Sequence, residues 1–437
     1  MKIGLIGNMN NNNFSLMRYF RDLGADAHLL LYKDDGEGSL SHFRPECDTW
    51  NIDAWRPFIH STPIPNASIA ALDWPLAQMM SLWSRAGVGL GRQDKFVAPV
   101  SASAIRRAYS GYDRLVGSGP TPAVLTRVNK ALDVFYPYSI GVEYLQTSEF
   151  TEHFSEGGPF KKAVYRSIAR RQAKGIRSAG LVFSFDGVTH GVLRDIGVAS
   201  RMRPMPMVYN REVAPDRPPG TVLTAAIDAI GRSDLSILHH ARLMWSEGPD
   251  PQPDSKNNHW LLIALERLVA RRPDLRPLVL IVEYGPDTER TRRLASELGV
   301  DRYVHWLPKM ERRELSVLVT QVSVVCGEFY QLPRMGWGGT GWEALAGGKP
   351  LLQGFNFKAG EYEALFGHPP PPMLPVTTIE DIEAHLSNMV DQPQARMDMG
   401  EGALTWFDRY NGIGLARSWL KAVCARDQDE QAARHAE

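Results

Sequence analysis

Gly336-Trp-Gly-Gly-Thr-Gly-Trp-Glu-Ala-Leu-Ala-Gly-Gly-Lys-Pro350, followed at once by Leu351-Leu352, decides how the second half of this 437-residue chain reads. A glycine-rich loop opens a short helix that carries Glu343 in its expected first turn. Gly347-Gly348 end that helix, and Pro350 leads into an apolar strand. Glycines let a backbone approach a ligand closely, and the first amides of a helix have no partners inside it. Together with the helix dipole, those amides suit a phosphate.

Alternating strand and helix signals surround this stretch. Ser236 to Trp245 reads as a strand, 256–272 as a helix and Leu278 to Tyr284 as a strand. A helix over 287–298, a strand from Tyr303 to Trp306, a helix over 311–320 and a strand from Val322 to Gly327 lead up to the glycine loop. The other end of the chain begins the same way. Residues 2–7 read as a buried strand and Asn8 to Asn13 as a loop. Phe14, Met17, Phe20 and Leu23 then recur at helical spacing until Gly24, and Ala27 to Tyr32 is the next strand. Strand–helix–strand order is the signature of a parallel sheet covered by helices. Residues 40–110 are less regular. Further strands are expected from Tyr112 to Ser118, Asp133 to Tyr138 and Gly180 to Phe185, with a basic helix over about 160–178. The proline-rich, charged stretch Arg211 to Gly220 reads as a linker. The fold class is therefore α/β, with two Rossmann-like domains and a cleft between them: one over 1–215, a second over 216–405 and a helical tail over 406–437 that frays at its end. Leu404, Trp406, Phe407, Tyr410 and Trp419-Leu420 are its packing residues.

Composition excludes several classes. A 43% apolar share fits packed domains, and the length favours two of them. With 49 basic and 49 acidic residues the formal charge is zero, which argues against a general nucleic-acid binder. Cys47, Cys326 and Cys424 have neither metal-ligand spacing nor a disulfide framework, so a reducing cytoplasm is expected. The apolar start Met1-Lys-Ile-Gly-Leu-Ile-Gly7 is too short for a signal peptide, and no run approaches the ~20 apolar residues that span a bilayer. A soluble protein, or one peripheral on the inner face of the cytoplasmic membrane, is expected.

Several residues carry chemistry. Glu343 has two readings. Thr340-Gly-Trp-Glu343 has capping-box spacing, so on one reading the carboxylate serves only its own helix; on the other it meets the two hydroxyls of a ribose. Arg242, on the strand 236–245, and Lys256, opening the next helix behind Asp254-Ser255, could both reach the carboxyl edge of the sheet. Two cations facing a helix N-terminus would hold a diphosphate, although either one alone is also an ordinary surface charge. His239 and His240 are adjacent on a strand and so are poor co-ligands; no metal site is expected.

In their order along the chain these elements resemble the nucleotide-sugar domain of GT-B glycosyltransferases, most closely the retaining family numbered four, also called group 1. Arg242-Leu-Met-Trp and then Lys256 resemble its arginine-on-a-strand, lysine-at-the-next-helix donor site. Residues 303–328 resemble its strand, turn, short helix and strand. Trp342-Glu-Ala-Leu-Ala-Gly-Gly-Lys-Pro350 resembles its Leu-Glu-Ala-Met-Ala-x-Gly-x-Pro signature. The likeness covers about 236–355 well and the first domain loosely. It implies transfer of a sugar from a nucleotide-diphosphate donor to a hydroxyl, with retention, without metal and with no cofactor, in cell-envelope polysaccharide or glycolipid assembly. Arg242 and Lys256 would neutralise the diphosphate. Gly338, Gly339 and Thr340 would offer amides, and Glu343 would hold the ribose. One departure stands out: the family's second glutamate, eight positions before Glu343, is here Met335, and Glu328 could take its place.

The first domain lacks a dinucleotide fingerprint. Its loop Gly7, Asn8, Asn11, Asn12 and Asn13 reads either as a plain turn, since asparagine tolerates left-handed backbone, or as a cleft loop touching donor or acceptor. Ser139 and Glu143, in Phe135-Tyr-Pro-Tyr-Ser-Ile-Gly-Val-Glu143, are possible contacts for a carbohydrate or lipid-linked acceptor. Helix residues Lys161, Lys162, Arg166, Arg170, Arg171, Lys174 and Arg177 form either a solvated face or an attraction to anionic lipid through 160–177. Two rivals remain: a nucleotide-sugar epimerase drawing acid or base from Glu143, Glu328 or His190, and a non-catalytic sugar-nucleotide binder.

Overall fold

The computed structural model describes residues 1–33, 35, 43–66, 68–85, 99–138, 159–215, 220–245, 255–333 and 336–434. They form two units. One comprises Met1–Glu46, Asn51–Met207 and Leu415–Glu437, the other Cys47–Trp50 and Val208–Gly414.

The first unit is built on seven strands: β1 (Lys2–Ile6), β2 (Asp26–Leu31), β3 (Ile59–Ser61), β4 (Arg114–Gly117), β5 (Val134–Phe135), β6 (Leu181–Ser184) and β7 (Arg201–Met202). All pairings are parallel, in the order β3-β2-β1-β4-β5-β6-β7. Ile3, Leu5, Ile6, Leu29 and Val116 are almost wholly buried, the unbroken apolar pattern of strands covered on both faces. β1 pairs with β2 on one side and β4 on the other, so the topological switch point lies at the end of β1, where ligands bind in such sheets. The segment Gly7 to Asn13 sits there. Expected to be all loop, it instead forms a 3-10 turn at Met9–Asn11, and the helix Asn12–Asp22 already begins at Asn12.

The second unit holds β8 (Leu235–His239), β9 (Pro277–Val282), β10 (Val304–Leu307), β11 (Val324–Cys326), β12 (Leu351–Gly354) and β13 (Leu374–Val376). These strands are also all parallel, in the order β10-β9-β8-β11-β12-β13. Its switch point lies between β8 and β11. Leu235, Ile237, Val279, Val324 and Leu352 centre a core closed by Leu261, Leu265 and Leu268 of the helix His259–Arg271.

The structure corrects some boundaries. The strand expected to run to Trp245 ends at His239, and Ala241 is a bend. The apolar run continues because Leu243 is buried in a turn, not in a strand: Gly285, at φ +135, brings its backbone against Leu243. The helix expected from 256 starts at His259, because Asn257 adopts a left-handed φ of 47 and its side-chain Nδ2 donates to the Phe329 carbonyl. Leu404 is exposed, not packed. The chain passes from the first unit to the second at Val208 and returns to the first at Leu415, and the short segment Cys47–Trp50 also belongs to the second. The return at Leu415 has a clear cause. Trp419, in the helix Ile413–Arg434, is fully buried, its ring lying 4.5 Å from that of Phe183 and 5.5 Å from that of Tyr136, both in the first unit.

Candidate functional site

The carboxyl edge of the second sheet gathers most of the residues singled out in the sequence. The helix Gly339–Ala346 starts there with Gly338 as its N-cap in extended conformation, and no side chain caps it. Thr340 lies inside this helix and Glu343 falls beyond the first turn expected for it, so the capping-box reading of Glu343 does not hold. Instead Glu343 Oε2 lies 2.6 Å from His240 Nε2, at the end of β8, and Glu343 Oε1 accepts a 2.9 Å bond from Arg312 Nε. Arg312 opens the helix Arg312–Gln321, and its Nη1 donates to Asp48 Oδ1 at 3.1 Å. Burial pushes the Glu343 carboxyl up, but the His240 bond and the Arg312 charge outweigh it and hold the group below the usual carboxylate range. Burial likewise lowers the Arg312 guanidinium, yet Asp48 and Glu343 raise it above its ordinary value.

A second pair lies against the same helix start. Lys256 Nζ donates to Glu328 Oε1 at 3.1 Å, and both side chains are largely buried. Burial disfavours the Lys256 charge, but Glu328 and then Tyr330 more than compensate and raise its affinity for a proton. Glu328 Oε2 accepts the Gly338 amide at 3.4 Å. A Cβ at position 338 would lie 2.7 Å from Glu328 Oε1, so a larger residue there would have to push that carboxylate aside. Fully buried Gln353 fixes the backbone beneath: its Nε2 donates to the Glu328 carbonyl at 2.6 Å, and its Oε1 accepts the Glu328 amide. Lys256, Glu328, Gly338 and Glu343 are thus brought to one helix N-terminus, an arrangement able to hold a phosphate and hydroxyls together.

Arg242 is not part of this cluster. It is exposed, and its Nη2 donates to Met244 Sδ at 3.1 Å. The two adjacent histidines serve different partners. His240 meets Glu343, whereas His239 Nε2 accepts from Asn258 Nδ2 at 2.9 Å. Burial, and then the neighbouring His240, push His239 down to about 3, so it is neutral. Residues 139–158, with Ser139 and Glu143, and Met335 lie outside the described residues. His190 bonds Ser200 Oγ at 2.9 Å.

In the first unit the asparagine loop is internally tied. Asn8 Nδ2 donates to Asn11 Oδ1 and to the Phe43 carbonyl, and Asn8 Oδ1 accepts the Phe14 amide. Asn13 Nδ2 donates to the carbonyls of Ile6 and Gly7. Asn10 and Asn11 are left-handed, and so is Gly7. The plain-turn chemistry is therefore real. Two oxygens nonetheless stay unsatisfied, the buried Oδ1 atoms of Asn12 and Asn13. The basic helix Pro159–Arg177 is partly committed as well: Arg171 pairs with Asp73, and Arg177 Nε donates to the Ile196 carbonyl.

Sequence reading missed His240, Arg312, Asp48 and Gln353. Only His240 carried a local signal, its place at the end of the strand leading into Arg242.

No protein-family model matches the chain, and no curated protein matches it. Solved structures do. HepE of Anabaena in complex with UDP superposes with a TM-score of 0.58 at 12% identity, covering 97% of this chain and 100% of that one. A glycosyltransferase from Rickettsia africae gives 0.55 at 13% identity, with 97% of each chain covered. A putative UDP-N-acetylglucosamine 2-epimerase from Listeria monocytogenes gives 0.53 at 11%, covering 98% and 97%. Identities this low speak for architecture alone. With its two all-parallel sheets and these neighbours, the chain has the GT-B fold of nucleotide-sugar glycosyltransferases, a fold that an epimerase also adopts.

Proposed function

We propose that the protein is a glycosyltransferase that moves a sugar from a nucleoside-diphosphate donor to a hydroxyl of a carbohydrate or lipid-linked acceptor, with retention and without metal or cofactor, in envelope polysaccharide or glycolipid assembly. One observation carries the reading. Buried Glu343 and the Lys256–Glu328 pair converge on a helix N-terminus at the switch point of a parallel sheet. Glu343 is a fixed anion suited to a ribose diol. Lys256, with the amides of Gly338, Gly339 and Thr340, faces the charge that grows on a departing diphosphate. Arg242, exposed beyond β8, is the cation that would turn onto the diphosphate once it is bound. Glu328 stands where it could meet the transferred sugar in place of the family's missing carboxylate. The reaction passes through an oxocarbenium-like transition state, and no residue is assigned as base.

Donor turnover tests the proposal. Incubation with UDP-, GDP- and ADP-sugars should release free sugar and nucleoside diphosphate slowly without acceptor. Interconversion of the sugar nucleotide in place of release would establish the epimerase reading, and neither reaction, with nucleotide still bound, would establish a binder.

A further inference from the structure

The Glu343 carboxylate is gripped by a chain of bonds that begins almost three hundred residues earlier. Asp48, its side chain 2% exposed, pairs with Arg312, which pairs with Glu343, whose other oxygen meets His240. The residues around Asp48 are tied down one by one within the second unit. Cys47 Sγ lies 3.2 Å from Glu311 Oε1, Thr49 Oγ1 and the Trp50 amide both donate to Glu212 Oε1, and the Arg313 guanidinium covers the Trp50 ring at 5.1 Å. Asp48 is therefore not a passing surface charge.

An ionised carboxylate has about four acceptor positions. Arg312 takes one on Oε1 and His240 one on Oε2, which leaves two. Arg312 spends Nε on Glu343 and Nη1 on Asp48, so a single planar group is held by two carboxylates. That division matters. If Asp48 were absent, the guanidinium fork could turn fully onto Glu343 and take a second position, on Oε2, in the bidentate geometry that arginine favours, leaving one acceptor site where a diol needs two. With Asp48 in place, two anionic acceptor positions stay open. Asp48, Arg312 and Glu343 sum to one negative charge, which suits neutral hydroxyl donors and repels phosphate. Two adjacent hydroxyls are the matching ligand.

We propose that Asp48, Arg312 and His240 are positioning residues that keep two acceptor sites of Glu343 open for the vicinal diol of a ribose, so that position 48 governs discrimination between ribose and 2′-deoxyribose. This rests on the donor-site reading above and adds residues to it that no local motif contains.

Isothermal titration with UDP, GDP and ADP identifies the tightest of the three, and its 2′-deoxy counterpart is then titrated into wild type, Asp48→Ala and Arg312→Lys, with melting temperatures measured alongside. Wild type should favour the ribonucleotide about tenfold, the scale of one charge-assisted hydrogen bond. Both variants should bind the two nucleotides alike, at the wild-type affinity for the deoxy form; that retained affinity is also the control for folding. A ribose preference kept in both variants overturns the inference, and so does a parallel loss on both nucleotides, which assigns the chain a purely structural role. If wild type binds none of the three, or binds without ribose preference, the donor-site reading itself falls.

Discussion

Glu343 shows how a residue can be legible in sequence while its neighbours are not. Its spacing from the glycine loop marked it as either cap or ligand group, and the structure removes the cap because Gly338 and not Thr340 ends the helix. His240 and Arg312 could not be read, because no local pattern links position 343 to partners 103 and 31 residues away, or Arg312 to Asp48 at 264. Titration should report these contacts. Glu343 loses its proton more readily folded than unfolded, so it contributes stability above its ordinary value of 4.5 and loses that contribution as pH falls through the lower folded value. His239 acts over a higher window. At about 3 in the fold against an ordinary 6.5, the unfolded chain binds the extra proton, so stability should fall as pH drops from 6.5 toward 3. His239→Gln should flatten that slope in urea melts taken across the window; an unchanged slope would contradict the neutral, buried assignment. The Lys256–Glu328 pair allows a separation of roles. Lys256→Met alone should cost about 3 kcal/mol by stranding a buried carboxylate. Adding Glu328→Gln should recover most of that stability while nucleotide binding stays lost. Binding restored along with stability would remove Lys256 from the phosphate site.

At the scale of elements, strands and helices were read well where periodicity ran unbroken, and misread where a turn was as apolar as a strand. Leu243 is the example, buried yet outside β8 because Gly285 packs against its backbone. The helix Pro159–Arg177 combines both of its sequence readings. Val164, Ile168 and Gln172 are buried against the first unit, with Gln172 bonded to the Ala123 amide and the Gly119 carbonyl, while Arg166, Arg170 and Lys174 remain exposed. Gly175 is required in that packing, since any Cβ would fall on the Pro122 carbonyl. Gly175→Ala should therefore destabilise by about 1–3 kcal/mol in denaturant titration, the usual range for overpacking; a neutral result would show that the two helices part easily. If the exposed cations meet anionic lipid, the protein should cosediment weakly and salt-sensitively with anionic liposomes. Negligible pelleting at low salt would end that idea.

At the scale of the whole chain, the α/β class and the presence of two parallel sheets followed from strand–helix alternation alone, because parallel strands need crossovers and crossovers leave long periodic segments. The course of the chain between units did not follow. A local window shows that 413–434 is a helix, but not that Trp419 fills a pocket against Phe183 and Tyr136. Trp419→Ala should accordingly lower the stability of the first unit by about 3–5 kcal/mol, the cost of emptying a buried tryptophan site. An unaltered melt would mean that the helix end is ornamental. The most direct test of the whole account is mass-spectrometric analysis of a panel of nucleotide sugars incubated with wild type and with Lys256→Met/Glu328→Gln. The account predicts that wild type splits one donor into free sugar and nucleoside diphosphate and that the double variant does not. Intact donor in every wild-type reaction, with no nucleotide bound, would contradict it.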